Sequence, residues 1–176
     1  MTAVGSGPRT VLVGAMGAGK STVGRRLADV WGVPFRDTDV DIETAQGRSI
    51  SDIFVDDGEA HFRELERAAV ADALRSHHGV LALGGGAVLD PATRDSLDGY
   101  PVVFLRVGLA DAVRRVGLGT GRPLLLGNVR SRVKALLDER LPVYLSVAEV
   151  VVDTDGRTPE QVVTEIKAAL AGKREG

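Results

Sequence analysis

The chain has 176 residues, of which 44% are hydrophobic and 26% are charged, and its formal net charge at pH 7 is −2. This composition predicts one folded domain over residues 1–176 and excludes wholesale disorder, while the balanced charge argues against a general binder of nucleic acid or membrane surfaces. The absence of cysteine excludes disulfides, thiolate metal sites and cysteine nucleophiles. Because the N-terminus lacks an apolar stretch of signal-peptide length, we expect the cytoplasm.

Short apolar segments alternate with amphipathic ones along the sequence. Residues 1–9 are expected to form a short flexible lead. Strands are predicted over Thr10–Val13, Val33–Arg36, Val80–Leu83, Val102–Arg106 and Val150–Val152. Helices are predicted from near Lys20 to a Gly32 cap, from about Val40, and over Asp57–Arg75, Pro91–Leu97, Leu109–Val116, Val129–Ala148 and Thr158–Leu170, the last with Thr158 as its N-cap. This alternation predicts a parallel sheet covered on both faces.

The segment Gly14–Ser21, which reads GAMGAGKS, matches the phosphate-loop pattern G-x-x-x-x-G-K-[ST] between a predicted strand and a predicted helix. Its glycines let backbone N–H groups face phosphate oxygens at a helix N-terminus. Lys20 is expected to reach the β- and γ-phosphates, and the Ser21 hydroxyl is expected to face Mg²⁺. The sole asparagine, Asn128, is not in an N-K-x-D motif, which argues against a GTPase switch and favours a kinase of small metabolites or nucleotides.

Two aspartates, Asp37 and Asp39, follow the second predicted strand. In an extended chain both side chains share a face, so one could support the water shell of Mg²⁺ and the other could orient a substrate hydroxyl. The alternative is equally open, since aspartate is a favoured N-cap for the helix that follows. Asp153, a weaker candidate metal ligand, is interpreted as the end of the last strand.

Arginines and a glycine triplet complete the candidate residues. Arg122 lies in the glycine-rich segment 117–123, which is predicted to be a loop able to close over phosphates. Taken singly, Arg63 and Arg140 are typical of solvated ion pairs, Arg63 with the glutamate four residues earlier. Gly84–Gly86 follows the third strand and either admits a close ligand or forms a loose turn. The neighbours His77 and His78 are interpreted as solvated residues at a helix end.

Taken together, these segments resemble the shikimate kinase family. The matching segments run in family order from about residue 10 to residue 170: Gly14–Ser21, Asp37–Asp39, Phe62–Glu66, Gly84–Val88, Arg122–Leu125, Glu139-Arg140 with Tyr144, and Val152–Thr154. The resemblance implies an α/β, P-loop nucleoside monophosphate kinase-like fold: a five-stranded parallel sheet flanked by helices, with a mobile lid at about 117–128. It implies ATP-dependent phosphorylation of the 3-hydroxyl of shikimate, with Mg²⁺ as cofactor, by a monomer.

The resemblance also implies residue roles. Lys20, Asp39 and Arg122 would be catalytic, with Asp39 on the shikimate hydroxyls. Arg63 and Arg140 would hold the substrate carboxylate, Gly85 would offer its backbone, and Ser21 and Asp37 would support Mg²⁺. Nucleotide contacts would come from Gly17, Ala18, Gly19, Lys20, Ser21, Thr22, Arg122 and Arg157, with Arg115 near the adenine.

Two other readings remain open from the residues alone. One is a kinase of another small hydroxylated metabolite, such as gluconate, or of a nucleoside monophosphate. The other is a non-catalytic nucleotide-binding regulator. The sequence also departs from many family members after Tyr144, where Leu145-Ser146 stands in place of an expected arginine.

Overall fold

The structure, a computed structural model, describes residues 7–120 and 126–174, with the backbone alone at 116–120, 126–128 and 174. Its centre is a sheet of five parallel strands in the order β2-β3-β1-β4-β5. The strands are β1 (Thr10–Val13), β2 (Phe35–Asp37), β3 (Val80–Ala82), β4 (Val102–Arg106) and β5 (Val150–Asp153). The predicted five strands are all present, with ends displaced by one or two residues.

Eight α-helices and a short 3₁₀ helix are seen in the described ranges. They are α1 (Lys20–Trp31), α2 (Thr38–Gln46), α3 (Ile50–Asp57), α4 (Glu59–Ser76), the 3₁₀ helix (Ala87–Leu89), α5 (Pro91–Ser96), α6 (Leu109–Thr120), α7 (Leu126–Val147) and α8 (Pro159–Arg174). The predicted Thr158 cap is confirmed, because its hydroxyl accepts the Gln161 N–H at 3.2 Å and the Gln161 side chain accepts the Thr158 N–H at 2.9 Å. Within the described part of the chain, no helix is long and apolar enough to cross a membrane.

The sheet is covered on both faces, as the sequence predicts. Alternate residues of β1 enter different cores: Val11 and Val13 pack with Tyr144 on one face, whereas Leu12 packs with Leu27 and Ile166 on the other. Helices on both faces bury β1 and β3 completely and β4 up to its last residue, which is the usual arrangement of an all-parallel sheet. The polar carboxyl ends of β1, β2 and β3 are therefore left to form a site at one edge.

Two helices differ from the prediction. The separate helix α3 was not predicted; the Ser49 hydroxyl caps it by accepting the Asp52 N–H at 3.1 Å, and Gly58, at φ 88°, divides it from α4. The prediction of a loop from residue 117 is wrong for 117–120, which continue α6. Glycine weakens a helix by only about 1 kcal/mol, and α6 packs along α7. The expected lid at 117–128 thus contains helix ends, and its centre lies outside the described residues.

The N-terminal segment and His77 also differ from the prediction. Of the expected lead, residues 7–9 pack on the body: the Arg9 N–H donates to Gly79 O at 2.8 Å, and the guanidinium lies 4.1 Å from the Trp31 ring centre. The solvated interpretation holds for His78 but is wrong for His77, which is buried with Nε2 3.0 Å from Val80 O. That carbonyl supplies the partner that a buried imidazole needs.

Candidate active site

The phosphate loop joins β1 to α1. Gly14, Gly17 and Gly19 have φ values of 152°, 83° and 89°, which the loop requires to turn back on itself. The Lys20 ammonium lies inside the loop, where Nζ donates to the carbonyl oxygens of Gly14 at 2.6 Å and Ala15 at 3.1 Å. Lys20 is therefore already held at the place where phosphate oxygens would meet the backbone N–H groups.

Burial lowers the pKa of Lys20 to about 8, and the carboxylates of Asp39 and Asp37 oppose that shift. The ammonium consequently remains protonated at pH 7. A half-buried cation between two carboxylates is well placed to meet a polyanion, because the surroundings screen its charge less than water would.

Asp37 caps α2 and also contacts the phosphate loop, so the N-cap alternative is confirmed for Asp37, and its expected support of Mg²⁺ stays a prediction. Its Oδ1 accepts the Asp39 N–H at 2.9 Å and caps α2, while its Oδ2 accepts a hydrogen bond from the Ser21 hydroxyl at 3.0 Å. The cap places Asp39 in the first turn of α2 and not on an extended strand. Alternation along a strand is therefore the wrong reason for the proximity of Asp37 and Asp39, although both do face the phosphate loop region.

Asp39 is the most perturbed carboxylate of the site. It is partly buried, and its Oδ1 has no hydrogen-bond partner among the described residues. Burial, followed by the nearby carboxylates of Asp37 and Glu66, raises its pKa to about 6, whereas Lys20 opposes that rise. A buried oxygen without a partner, next to the phosphate loop, is suited to accept a hydrogen bond from a ligand hydroxyl.

Arg63, on α4, turns inward. Its Nη1 donates to Glu66 Oε1 at 2.7 Å, while the predicted pair with Glu59 is looser at 3.6 Å. The Glu66 side chain is only 4% exposed, and burial raises its pKa while Arg63 opposes the rise. The solvated interpretation is therefore wrong for Arg63, since a buried carboxylate fixes one edge of its guanidinium and leaves other N–H groups for a ligand.

The glycine triplet after β3 makes room for the charged side chains around it. A Cβ at Gly84 would lie 2.6 Å from Asp39 Oδ1, and a Cβ at Gly86 would lie 2.6 Å from Arg63 Nη1. A Cβ at Gly85 would lie 3.5 Å from Arg140 Nη1 and 3.5 Å from the Met16 backbone nitrogen. The triplet thus forms a floor on which Asp39, Arg63 and Arg140 converge beside the phosphate loop, which rules out a loose turn.

Two site residues, Glu66 and Tyr144, stand only inside matched segments, and the sequence reasoning gives them no role. Tyr144 donates its hydroxyl to Gly85 O at 2.6 Å. Arg115, which the resemblance places near the adenine, lies on α6 and donates to Gly17 O at 2.7 Å, so it reaches the phosphate loop. The only sequence signal for Tyr144 was its position four residues after Arg140, on the same side of a helix.

Other sequence candidates lie apart from this cluster. Arg157 forms an ion pair with Glu165, and Asp153 accepts two hydrogen bonds from Arg106, at 2.6 and 3.1 Å. The Arg106 pair supports the interpretation of Asp153 as a strand end. Arg122 lies outside the described residues.

Comparison with known proteins identifies the family. The family model described as shikimate kinase matches residues 16–171. A shikimate kinase from Salinispora tropica is 63% identical, with 93% of this chain and 98% of the relative covered, and one from Thermobifida fusca is 57% identical, with 94% and 96% covered.

Solved structures give the same result. Shikimate kinase from Acinetobacter baumannii in complex with shikimate superposes with a TM-score of 0.87 at 33% identity and covers 95% of this chain and 94% of that one. A gluconokinase from Sinorhizobium meliloti, at 24% identity and a TM-score of 0.58 over 97% of this chain and 95% of its own, shares the fold alone. The predicted P-loop nucleoside monophosphate kinase-like fold is confirmed, and the chain belongs to the shikimate kinase family.

Proposed function

We propose that this chain transfers the γ-phosphoryl group of ATP to the 3-hydroxyl of shikimate, giving shikimate 3-phosphate and ADP on the route to chorismate and the aromatic amino acids. The observation that carries the proposal is the convergence of Asp39, Arg63 and Arg140 on the glycine triplet next to the phosphate loop. The acceptor chemistry and the donor site therefore share one edge of the sheet, where open α/β sheets bind their ligands.

The arginines match the charge of the acceptor. Shikimate is a hydroxylated carboxylate, and guanidinium groups bind carboxylates with two parallel hydrogen bonds. Glu66 already orients Arg63 at 2.7 Å, so little side-chain freedom is lost on binding. A neutral sugar would leave the positive charge of Arg63 and Arg140 without its partner, which favours shikimate over polyols that lack a carboxylate.

Asp39 supplies the carboxylate that orients the attacking hydroxyl. Its Oδ1, which has no hydrogen-bond partner within the described ranges, accepts the hydrogen bond of the 3-hydroxyl, and the same oxygen can take the proton as the bond to phosphorus forms. A pKa of about 6 leaves Asp39 ionised at pH 7, yet makes it a stronger base than an ordinary aspartate.

The donor side uses the phosphate loop. Backbone N–H groups of Gly17, Ala18, Gly19 and the start of α1 bind the phosphates, and Lys20 exchanges the carbonyls of Gly14 and Ala15 for phosphate oxygens. We assign Arg122 to the charge that develops on the transferred group and Arg157 to the adenine side, with Thr22 at the helix start.

The residues present fit Mg²⁺. The Ser21 hydroxyl and an Asp37 carboxylate oxygen lie 3.0 Å apart and are hard oxygen ligands. The described ranges contain no group of three or more acidic or histidine residues that would hold a metal alone, which suits an ion that binds mainly through phosphates and water. When bound, Mg²⁺ would neutralise phosphate charge; Ser21 and Asp37 would hold it.

We also propose a cytoplasmic monomer. The support for the compartment is the proposed use of ATP, which the cytoplasm supplies as a substrate. Large exposed apolar side chains such as Met16, Val40 and Val55 are spread over three segments, the phosphate loop, α2 and α3, and this distribution is the support for a monomer.

The proposal is tested by ADP release from Mg-ATP with shikimate, quinate, gluconate or a nucleoside monophosphate as acceptor. Shikimate alone should stimulate release well above the rate without acceptor. Stimulation by another acceptor would overturn the acceptor assignment and keep the phosphate-loop chemistry. Absence of stimulation by every acceptor would leave a nucleotide-binding regulator.

The Asp39→Asn variant tests the catalytic assignment. We expect kcat to fall by roughly 10²–10⁴-fold, because the hydroxyl loses its proton acceptor, while ATP affinity changes little. Asp41→Asn, two residues later in α2 and paired with Arg36, is the matched control and should keep near-normal turnover. Near-normal turnover in Asp39→Asn would contradict the role of Asp39.

A further inference from the structure

The Tyr144 side chain spans the core from α7 to the glycine triplet. It is only 2% exposed, and its ring lies 4.9 Å from the Phe104 ring, centre to centre, with the planes tilted by 32°. Its hydroxyl donates to Gly85 O at 2.6 Å, across 59 residues of sequence. A buried phenol requires such a partner, and here that partner is the backbone of the acceptor site.

Holding the Gly85 carbonyl fixes more than one atom. Because a peptide unit is planar, the orientation of the Gly85 oxygen also sets the direction of the Gly86 N–H. Gly86 is the residue on which a Cβ would come within 2.6 Å of Arg63, and a Cβ on Gly85 would lie 3.5 Å from Arg140. A rotation of this peptide would therefore turn its C=O and N–H groups within the part of the site that Arg63 and Arg140 border.

The turn of α7 that carries Arg140 also depends on this bond. Arg140 and Tyr144 are four residues apart and share a helix side. Pro142 lies between them inside the helix, and it has no N–H to donate to the carbonyl four residues earlier. With one helical hydrogen bond missing, the bond from Tyr144 to Gly85 is a direct tie between this turn and the triplet.

We propose that Tyr144 is a positioning residue for the acceptor site: its hydroxyl, through the Gly85 carbonyl, holds the glycine triplet against the turn of α7 that carries Arg140. Tyr144 sets the affinity for the acceptor and leaves nucleotide binding unaffected. The inference rests on the proposed function, because it assigns the triplet and Arg140 to shikimate.

Tyr144→Phe removes only the hydroxyl and keeps the ring against Phe104. We expect the KM for shikimate to rise roughly five- to tenfold, the effect of one lost hydrogen bond, while the KM for ATP stays within about twofold. Phe104→Leu is the matched control, because it disturbs the same packing and keeps the hydroxyl. It should lower the Tm without raising the KM for shikimate.

A double-mutant cycle with Arg140→Lys tests whether Tyr144 acts through the acceptor site. If it does, the rise in shikimate KM caused by Tyr144→Phe will be smaller in the Arg140→Lys background than in the wild type. An unchanged shikimate KM in Tyr144→Phe, an equal rise in both KM values, or an equal rise in Phe104→Leu would overturn the inference. A wild type inactive with shikimate would instead overturn the proposed function.

A measurement on the wild-type sequence avoids any folding defect of the variants. The chain has two tyrosines. Tyr100 lies just before β4, at the amino ends of the strands and away from the candidate site, and is therefore an internal control. After 3-fluorotyrosine incorporation, with Tyr100→Phe used for assignment, the ¹⁹F resonance of Tyr144 should shift with shikimate. A Tyr144 resonance that does not respond, or that shifts no more than that of Tyr100, would contradict a role in the acceptor site.

Discussion

At the scale of single residues, the most unusual group of the candidate site is Asp39, because its surroundings disfavour the ionised carboxylate. Among the residues that the structure describes, Oδ1 of Asp39 has no hydrogen-bond partner, the carboxylates of Asp37 and Glu66 raise the pKa of Asp39, and Lys20 opposes that rise. On the proposed function, a hydroxyl of the acceptor would supply the missing hydrogen bond, and the phosphates of ATP would compete with Asp39 for the charge of Lys20. The environment of this carboxylate is thus tied to both substrates.

The pH dependence of activity should report this perturbation. Because burial raises the pKa of Asp39 to about 6, the base is increasingly protonated below that pH, and kcat/KM for shikimate should approach a tenfold loss per pH unit. The measurement is kcat/KM from pH 5 to 8 with Mg-ATP kept saturating. Asp41→Asn should leave the acidic limb in place, and a kcat/KM that stays nearly constant down to pH 5 would show that Asp39 titrates as an ordinary aspartate.

The sequence names Asp39, Arg63 and Arg140, which the structure brings together, but it does not predict most of their hydrogen bonds. It placed Asp37 and Asp39 beside the phosphate loop, but by alternation on a strand, whereas the cap on α2 is the actual cause. It left Gly84–Gly86 undecided because the reason for three glycines lies in side chains on other elements. Contacts that join residues far apart in sequence leave no local pattern to detect.

At the scale of elements, the first turn of α6 is held by a distant carboxylate. Both Asp155 oxygens accept the Gly108 N–H, at 2.8 and 2.9 Å, just before α6 begins, and a Cβ on Gly108 would lie 2.5 Å from Asp155 Oδ2. The loop after β5 thus supplies a cap across 47 residues. Since Arg115 on α6 reaches Gly17 at 2.7 Å, this cap also positions α6 against the phosphate loop.

Asp155→Ala should therefore affect stability and the nucleotide side together. We expect the Tm to fall by about 2–4 °C, the effect of roughly 1 kcal/mol for a lost cap in a chain of this size, and the KM for ATP to rise more than that for shikimate. Asp153→Ala removes an exposed ion pair with Arg106 and should change the Tm and the KM for ATP less than Asp155→Ala does. Equal effects of the two substitutions would contradict a specific role of the cap.

The sequence predicted most elements because their signals are local. Apolar strands and helical spacing identified all five strands, and Thr158 identified the start of α8. Helix α3 was not predicted, although Ser49 followed three residues later by Asp52 is a capping pattern. The prediction has one helical stretch from about Val40 and does not use Ser49 as the start of a second helix. The extent of α6 was underestimated because packing on α7 outweighs the propensity of its glycines.

At the scale of the whole molecule, the charged side chains of the candidate site balance in formal charge, but burial destabilises the charged forms of some of them. Three carboxylates, Asp37, Asp39 and Glu66, face three cations, Lys20, Arg63 and Arg140, around one edge of the sheet. The pKa shifts of Asp39 and Lys20 both disfavour the charged form that the proposed mechanism needs. The fold therefore gives up stability at this edge, and the buried cores on both faces of the sheet offset that loss.

Asp39→Asn should consequently make the protein more stable as well as inactive. Asp39 has a folded-state pKa of about 6 against a model value of 3.8, so the folded state binds more protons between these values, and the stability contributed by this group falls as pH rises through that window. Removing the charge of Asp39 should raise the free energy of unfolding at pH 7 by on the order of 2 kcal/mol, which corresponds to a rise in Tm of roughly 4–8 °C.

Thermal unfolding of the ligand-free protein at pH 7 measures this effect, and repetition at pH 5 should shrink the difference between Asp39→Asn and the wild type, because Asp39 is then largely protonated. Asp41→Asn is again the control, since it breaks the 2.5 Å pair with Arg36 and should not raise the Tm. If Asp39→Asn instead lowers the Tm at pH 7 as Asp41→Asn does, ionised Asp39 stabilises the fold. That result would contradict the inference that the fold loses stability by keeping a basic carboxylate at the acceptor site.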